Sequence, residues 1–373
     1  MAYPINPDRN EPWNKLPELP IEESLFKTID VYEQLGNAKS ALARLQGRSI
    51  AIPNQGLLIN SISLQEAKAS SAIENIFTTD DELYKAFSEH TPDQLRGASQ
   101  EVLQYREALW LGFQHLKHKE GFDQKYLELI YRQVKTATDG IRSPLVQTVI
   151  RHGGTGPNAG RVVYSPPRGK GIIEQKINNL LLFMNNDEIY KLDHLLKMVI
   201  GHFQFEAIHP FRNGNGRTGR IFNIHYLCQK GLLDYPILFL SKYILDNKDD
   251  YYRALTRVSQ FGDWQTWLIY MLKAVEQTSN LTYIKINDII AAKDAILREI
   301  VSLKEISRPE SLVNHIFTQP FTRVKHLTEQ GIYAENTARN YLNRLCEMQI
   351  LERRTIKGSH YYLNTELYRI LGA

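Results

Sequence analysis

Cysteine is nearly absent from this chain of 373 residues: only Cys228 and Cys346 occur, each in an apolar helical context. A disulfide framework is therefore excluded, and both read as buried free thiols. No run of about 18 apolar residues exists, so no membrane span is expected. The N-terminal stretch MAYPINPDRNEPWNK lacks a basic segment followed by an apolar one. That predicts no secretory signal and a cytoplasmic location. HExxH and paired CxxC patterns are missing, which removes the common zinc sites. So are the Walker A GxxxxGK(S/T) loop and the HRD and DFG elements of protein kinases. Internal repeats and low-complexity segments are absent. Charge of one sign is also scarce. A net charge of +4 and a pI near 8.8 permit nucleic-acid contact without demanding it. What remains is ordinary for a globular protein, 43% hydrophobic and 23% charged, and long enough for two or three domains with their own cores.

Helical periodicity dominates. A proline-rich segment to about residue 22 reads as extended chain draped over a core. Leu25, Ile29, Tyr32, Leu35 and Leu42 suggest a helix over 23–45, and another runs over about 63–74. Thr79-Asp-Asp-Glu82 resembles a capping box opening the next helix. Helices follow around Tyr105–Leu116 and Tyr126–Val134. The segment 145–167 differs: Val146–Ile150 and Arg161–Tyr164 are β-rich, and a glycine-rich stretch separates them, so a long-looped hairpin is expected. Gly154-Thr-Gly-Pro-Asn-Ala159 loosely fits the dinucleotide pattern GxGxxA. A proline interrupts it and β-like sequence follows where a helix is required, so that reading is rejected. Helices resume over 172–274, and Tyr283–Leu303 reads as one more long helix. Three short helical patterns (311–317, 324–329, 336–348) and a hairpin over 351–363 give winged-helix order.

The most specific feature is His209-Pro-Phe-Arg-Asn-Gly-Asn-Gly-Arg-Thr-Gly-Arg220. Apolar residues at helical spacing precede it, and Pro210 places His209 at a helix end. Ile221, Ile224, Leu227 and Cys228 form a helical face after it. Glycines let backbone N–H groups converge on an anion, and a helix starting there adds its positive end. Arg217 and Arg220, three apart in the first turn, supply fixed charge for phosphate. His209 can take a proton near neutral pH. An anion cradle beside a base points to transfer of a phosphate-containing group to a hydroxyl.

This run resembles the signature of the Fic family, HPFx(D/E)GNGRxxR. Leu16-Pro-Glu-Leu-Pro20, Ala51-Ile-Pro-Asn54 and Ser70-Ser-Ala-Ile-Glu-Asn75 resemble the N-terminal region that often precedes the Fic core. The resemblance implies a mainly α fold, a Fic helical bundle with a β-hairpin flap. Its parts would be an N-terminal helical region with an inhibitory helix (1–100), a catalytic core (101–277), a connector helix (278–306) and a winged-helix module (307–373). The implied activity is protein adenylylation, the transfer of AMP from ATP to a Ser, Thr or Tyr hydroxyl, with ATP as substrate and Mg²⁺ as metal. His209 would be the general base. Gly214, Asn215 and Gly216 would present amides to the α- and β-phosphates, and Arg217 and Arg220 would hold the β- and γ-phosphates. Thr218 and Gly219 belong to the same ATP-binding turn.

Further site residues follow from the resemblance. Tyr252 is the candidate adenine or ribose contact, and Gln204, one turn before His209, could also face the site. Asn213 departs from the family's Asp or Glu and would be a weaker Mg²⁺ ligand. The pattern from Ser70 to Glu74 and Asn75 matches an inhibitory helix whose glutamate, Glu74, pairs with Arg220 and occupies the γ-phosphate site. The 146–164 flap would hold the target protein by strand addition, and a homodimer is implied. In the C-terminal module Asn336, Thr337, Arg339, Asn340, Arg344, Arg353, Arg354 and Lys357 are the candidate DNA contacts. Two alternatives stand beside adenylylation: a nucleotide-sensing DNA-binding regulator, and a Fic enzyme that moves another phosphate group or removes AMP.

Overall fold

Apolar residues recurring at three and four along most of the sequence produce a mostly helical chain. The computed structural model describes residues 3–50, 55–89, 97–119, 121–151, 160–356 and 358–372. The first described segment is extended, as its prolines predict. Trp13, Leu16 and Leu19 are buried, Asn6 N–H donates to the Ser259 carbonyl, and Trp13 N–H to that of Ser165.

After a 3-10 turn at Glu23–Leu25, helix α1 (Ile29–Ile50) lies along α11 (Trp264–Leu303). Its buried face is Val31, Leu35, Ala38, Leu42 and Leu45. Ile29 and Tyr32, expected on that face, are 85% and 44% exposed. The seam follows the 31-35-38-42-45 spacing, which puts both residues on its outer side. Helices α2 (Gln55–Ile73), α3 (Asp80–Glu89), α4 (Ala98–Lys117) and α5 (Gln124–Lys135) follow. The capping box is formed: Thr79 N–H donates to Glu82 Oε2 and Glu82 N–H to Thr79 Oγ1, each at 3.2 Å. Residues Ala51 to Asn54 fall outside the described residues.

The expected hairpin is shorter than its β-rich sequence suggested. Strands β1 (Ile150–Arg151) and β2 (Val162–Tyr164) pair antiparallel. Val146 instead closes a turn onto the Ser143 carbonyl, so its β propensity is overridden locally. The stretch Gly154 to Ala159 lies outside the described residues. Tyr164 is buried and its hydroxyl donates to the Ala207 carbonyl at 2.9 Å, fixing the hairpin base.

Helices α6 (Ile172–Asn185), α7 (His194–Ile208) and α8 (Asn215–Gln229) stack into the core, then α9 (Leu240–Asp246) and α10 (Lys248–Phe261) lead to α11. Helix α11 is continuous over 40 residues. The helix ending near residue 274 and the one beginning near 283 are thus a single element. Polar Thr278, Ser279 and Thr282, which interrupt the apolar pattern, are buried within it.

The C-terminal part contains α12 (Pro309–Ile316), β3 (Phe321–Thr322), α13 (Val324–Glu329), α14 (Glu335–Glu347), β4 (Leu351–Ile356), β5 (Ser359–Asn364) and α15 (Thr365–Gly372). The three strands order as β3-β5-β4, with Arg353 opposite Tyr362. This part docks on α3 and α11. His326 Nε2 meets the Ser88 carbonyl at 2.8 Å, Tyr361 hydroxyl donates to Glu89, and Lys285 Nζ donates to the Ile370 carbonyl. Both cysteines are free but only partly buried, less than their apolar context suggested.

Candidate active site

The sequence around His209 folds as two helices meeting at a tight turn. Asp193 caps α7 by accepting from Leu195 N–H at 2.9 Å, and the helix ends where His209 adopts φ 50°. A left-handed backbone at histidine is uncommon and is held here from outside. Arg142 is the brace. Its Nε donates to the His209 carbonyl at 2.8 Å, its Nη2 to the Pro167 carbonyl at 2.6 Å, and its backbone N–H to the Pro210 carbonyl at 2.9 Å. Below the turn, Phe211 is fully buried and stacks on Tyr131 with centroids 4.2 Å apart. Asn215 ties the loop to itself, accepting from Phe211 N–H and donating to its carbonyl, both at 2.8 Å. Its side chain is thereby committed to loop shape, and its backbone N–H is what remains to offer a ligand. Gly214 begins α8 with φ 75°, the positive value that glycine tolerates.

Arg220 and Glu74 meet against this turn, at Gly216. Arg220 is buried; its Nε donates to Ser70 Oγ at 2.8 Å, and its Nη2 to the Ser70 carbonyl at 2.9 Å and to Glu74 Oε1 at 3.1 Å. Glu74 stands just past the end of α2. Asn75 has φ 61° and Ile76 N–H reaches back to the Ser71 carbonyl, closing the helix end. The Glu74 carboxylate presses on Gly216, leaving no room for a side chain at that position. Helix α2 is anchored by Glu66, a residue that sequence reasoning passed over. Buried Glu66 accepts from Tyr105 hydroxyl at 2.9 Å and from Ser241 N–H at 2.8 Å.

The remaining expected residues divide. Arg217 is buried and pairs with Glu101 of α4, Nη1 to Oε2 at 2.9 Å. Thr218 is buried, and its hydroxyl has no partner among the described residues. Gly219 packs closely on α7: a Cβ there would lie 2.6 Å from Glu206 Oε1 and 2.9 Å from Phe205 Cδ1. Gln204 is buried and donates to the Pro17 carbonyl at 2.8 Å, which makes it a tether for the N-terminal segment. Tyr252 is 42% exposed, its ring edge-on to Tyr251 at 5.3 Å, near enough to Glu74 and Arg220 to feel their charges. Asn213 is exposed on the loop. Among the described residues no group of three or more His, Cys, Asp or Glu could hold a metal. A single neutral amide oxygen does not build a Mg²⁺ site in which hard oxygens are required. No chemical step is therefore assigned to a protein-held metal.

The electrostatics follow from burial. Loss of water pushes the His209 imidazole down to about 4; the nearby Arg142 charge adds to this, while Glu74 and the Glu206 carbonyl oppose it. The ring is neutral at pH 7 and free to accept a proton. Glu206, three residues before it, is pushed up to about 8 by desolvation against the pull of Arg220, with Glu74 adding to the rise. A neutral imidazole thus lies next to a glycine turn whose buried arginines, Arg217 and Arg220, are each engaged by a carboxylate. Arg142, Glu66 and Glu101 are the participants that the sequence did not announce.

Three family models match the chain: the Fic/DOC family N-terminal model over residues 32–114, the Fic/DOC family model over 121–227, and the C-terminal domain of SoFic-like protein adenylyltransferases over 301–367. Among curated proteins, a probable protein adenylyltransferase of Aquifex aeolicus is 36% identical over 81 residues, 22% of this chain and 24% of that protein. A protein adenylyltransferase of Caenorhabditis elegans is 25% identical over 113 residues, 30% of this chain and 21% of that protein. The chain thus matches about a quarter or less of the length of these relatives. Among solved structures, a Fic family protein from Desulfovibrio desulfuricans matches with TM-score 0.55 at 20% identity, covering 93% of this chain and 98% of that one. Fic-1 from Caenorhabditis elegans matches with TM-score 0.51 at 17% identity, covering 67% and 71%. These likenesses show the fold.

Proposed function

Since this chain belongs to the Fic/DOC family, we propose that it is an autoinhibited protein adenylyltransferase that moves AMP from ATP to a hydroxyl side chain of a target protein. The observation that carries this reading is the Glu74–Arg220 ion pair at 3.1 Å, set against the Gly216 turn next to a neutral His209. His209 accepts the proton of the incoming hydroxyl as its oxygen attacks the α-phosphorus, and the pyrophosphate leaves. Amides at Gly214 to Gly216 and the start of α8 stabilise the charge that grows on the phosphate oxygens. Arg220 receives the γ-phosphate only when Glu74 withdraws. Ser70 keeps Arg220 in place during that exchange, since two of its three hydrogen bonds do not involve Glu74. Mg²⁺ brought with ATP would neutralise phosphate charge, and exposed Asn213 would offer it one neutral amide oxygen from the loop. The target segment pairs with the β1–β2 hairpin.

The test is intact mass of purified Glu74→Gly protein after incubation with ATP and Mg²⁺, beside Glu74→Gly/His209→Ala. A gain of one AMP unit that disappears in the double variant supports the reading. A gain of phosphate alone would move the assignment to another transfer reaction. Unmodified protein, together with no labelling of any protein in a lysate, would sink it.

A specific observation also favours DNA at the C-terminal part. A cleft of about 410 Å³ is lined by Arg323, Lys325, Arg339, Arg353 and His360, with Glu335 as its one acidic residue. Strand alternation puts Arg353, Thr355, His360 and Tyr362 on this side, whereas Arg354 turns to Glu352 and Asp81 and Tyr361 to Glu89. The hairpin docks by one face and presents the other. Arg344, which does not line the cleft, and Arg354 leave the set of DNA contacts expected from sequence; Arg323, Lys325 and His360 join it. Lys357 lies outside the described residues. Salt-sensitive binding of a duplex is the measurement that checks this.

A further inference from the structure

The sequence motif supplies two cations to the phosphate site, and the structure brings a third from outside it. Lys135 ends α5, and the following residue, Thr136, has φ 50° and closes the helix. The lysine stem lies over the glycine turn: a Cβ on Gly214 would fall 2.9 Å from Lys135 Cγ and 3.1 Å from Cδ. Its Nζ is 3.1 Å from Glu101 Oε2. The same oxygen is 2.9 Å from Arg217 Nη1. One carboxylate on a long, packed helix thus bridges Lys135 and Arg217, leaving two positive charges against one negative beside the turn. Hydrogen bonding from Lys135 and the charge of Arg217 hold the Glu101 carboxyl below its ordinary range, outweighing desolvation, which is the largest influence and acts upward. A second observation points to an anionic ligand. Arg217 is 3% exposed, yet neither its Nε nor its Nη1, which meets Glu101 only as an ion pair, makes a hydrogen bond among the described residues. A buried donor of this kind calls for an acceptor.

Glu101 differs from Glu74 in position. Glu74 sits on the turn, against Gly216, where a ligand phosphate would lie; Glu101 stands behind it and holds Lys135 over Gly214. Building on the nucleotide-transfer reading above, we propose that Lys135 is a further polyphosphate-binding residue of this site and that Glu101 is its positioning residue. The ligand class is the di- or triphosphate of a nucleotide. Lys135 contributes a point charge and three donors at the Gly214 end, while Arg217 and Arg220 contribute planar forks along α8.

Calorimetric binding of ATP and of adenosine to full-length Glu74→Gly protein tests this. Adding Lys135→Ala should weaken ATP about tenfold, the effect of losing one charge-assisted hydrogen bond, and leave adenosine unchanged. Lys135→Arg should bind ATP within about threefold of the parent. In a Glu101→Gln background the effect of Lys135→Ala should shrink below about threefold, a coupling between the two residues. Unchanged ATP affinity in Lys135→Ala overturns the proposal, as does equal loss of ATP and adenosine with a lowered melting temperature, which would mark a structural role. Strictly additive effects overturn the part given to Glu101. Failure of the Glu74→Gly parent to bind ATP at all would instead strike the nucleotide-transfer reading itself.

Discussion

The turn from His209 to Arg220 and the C-terminal part both carry many charges, yet they spend them differently. At the turn Arg212 is exposed, but Arg217 and Arg220, with Arg142 beside them, are buried and partnered by residues far away in sequence. Arg220 meets Ser70 and Glu74, Arg217 meets Glu101, and Arg142 meets three backbone carbonyls. In the C-terminal part most pairs are local and exposed: Arg339 with Glu335, Arg344 with Glu347, Arg369 with Glu366. An exposed pair at helical spacing contributes a few tenths of a kcal/mol and exchanges freely with water. A buried guanidinium stripped of its carboxylate costs several kcal/mol unless another anion replaces it. On the proposed reading the first region would select for an incoming anion, and the second would offer a surface tuned by salt.

The comparison breaks most readily at His209. In the Glu74→Gly background, His209→Ala should lower the transfer rate by about 10²- to 10⁴-fold, the range for a lost general base, in an assay of ATP-dependent labelling. Next in size, Arg142→Ala removes a buried charged donor from the carbonyls of Ile208, His209 and Pro167. Each such bond is worth roughly 1.5–3 kcal/mol, so a clearly lower melting temperature should accompany a lower rate; an unchanged melting temperature would show that Arg142 does not brace the turn. Smaller again is the acid response. Buried His202 and His225 are pushed down to about 3 and about 4 by desolvation, so the folded state binds fewer protons than the unfolded chain below pH 6.5. His209 acts in the same direction, whereas Glu206 and Glu66, pushed up to about 8 and about 7, hold protons that the unfolded chain has released and offset two of the three rings. Stability should therefore fall as pH drops from 6.5 toward 4.5 by about 1.4 kcal/mol per pH unit, and chemical denaturation at stepped pH reads this directly. The smallest effect belongs to the C-terminal cleft. Arg353→Glu should weaken duplex binding and flatten its salt dependence by about one or two phosphates' worth, whereas Arg344→Ala should change little.

Legibility followed the same divide between local and distant. The helix–turn–helix at 209–220 was readable because proline, glycines and flanking apolar spacing are all local signals. The Thr79–Glu82 capping box and the left-handed Asn75 belong to the same class. Arg142 was not readable: it lies in a stretch without periodicity, and its partners are brought to it only by the fold. Glu66 and Glu101 look like surface acids on helices, and nothing in their neighbours tells that one is buried and the other bridges two cations. Ile29 and Tyr32 were assigned to a face by hydrophobicity, but the packing of α1 on α11 chose a different stripe. Val146 shows β propensity yielding to a turn.

Helix α11 gives the two regions a fixed gauge. Forty residues at about 1.5 Å each make a rod of about 60 Å. It runs past α1, α7, α9 and α10 before reaching α12 and α15. A flexible tether would let a molecule caught at the basic cleft wander over the whole catalytic surface, raising its local concentration everywhere by the same factor. A rod would select instead by length and bearing: if cleft and hairpin each bind as proposed, only a partner whose own dimensions span the interval could occupy both together.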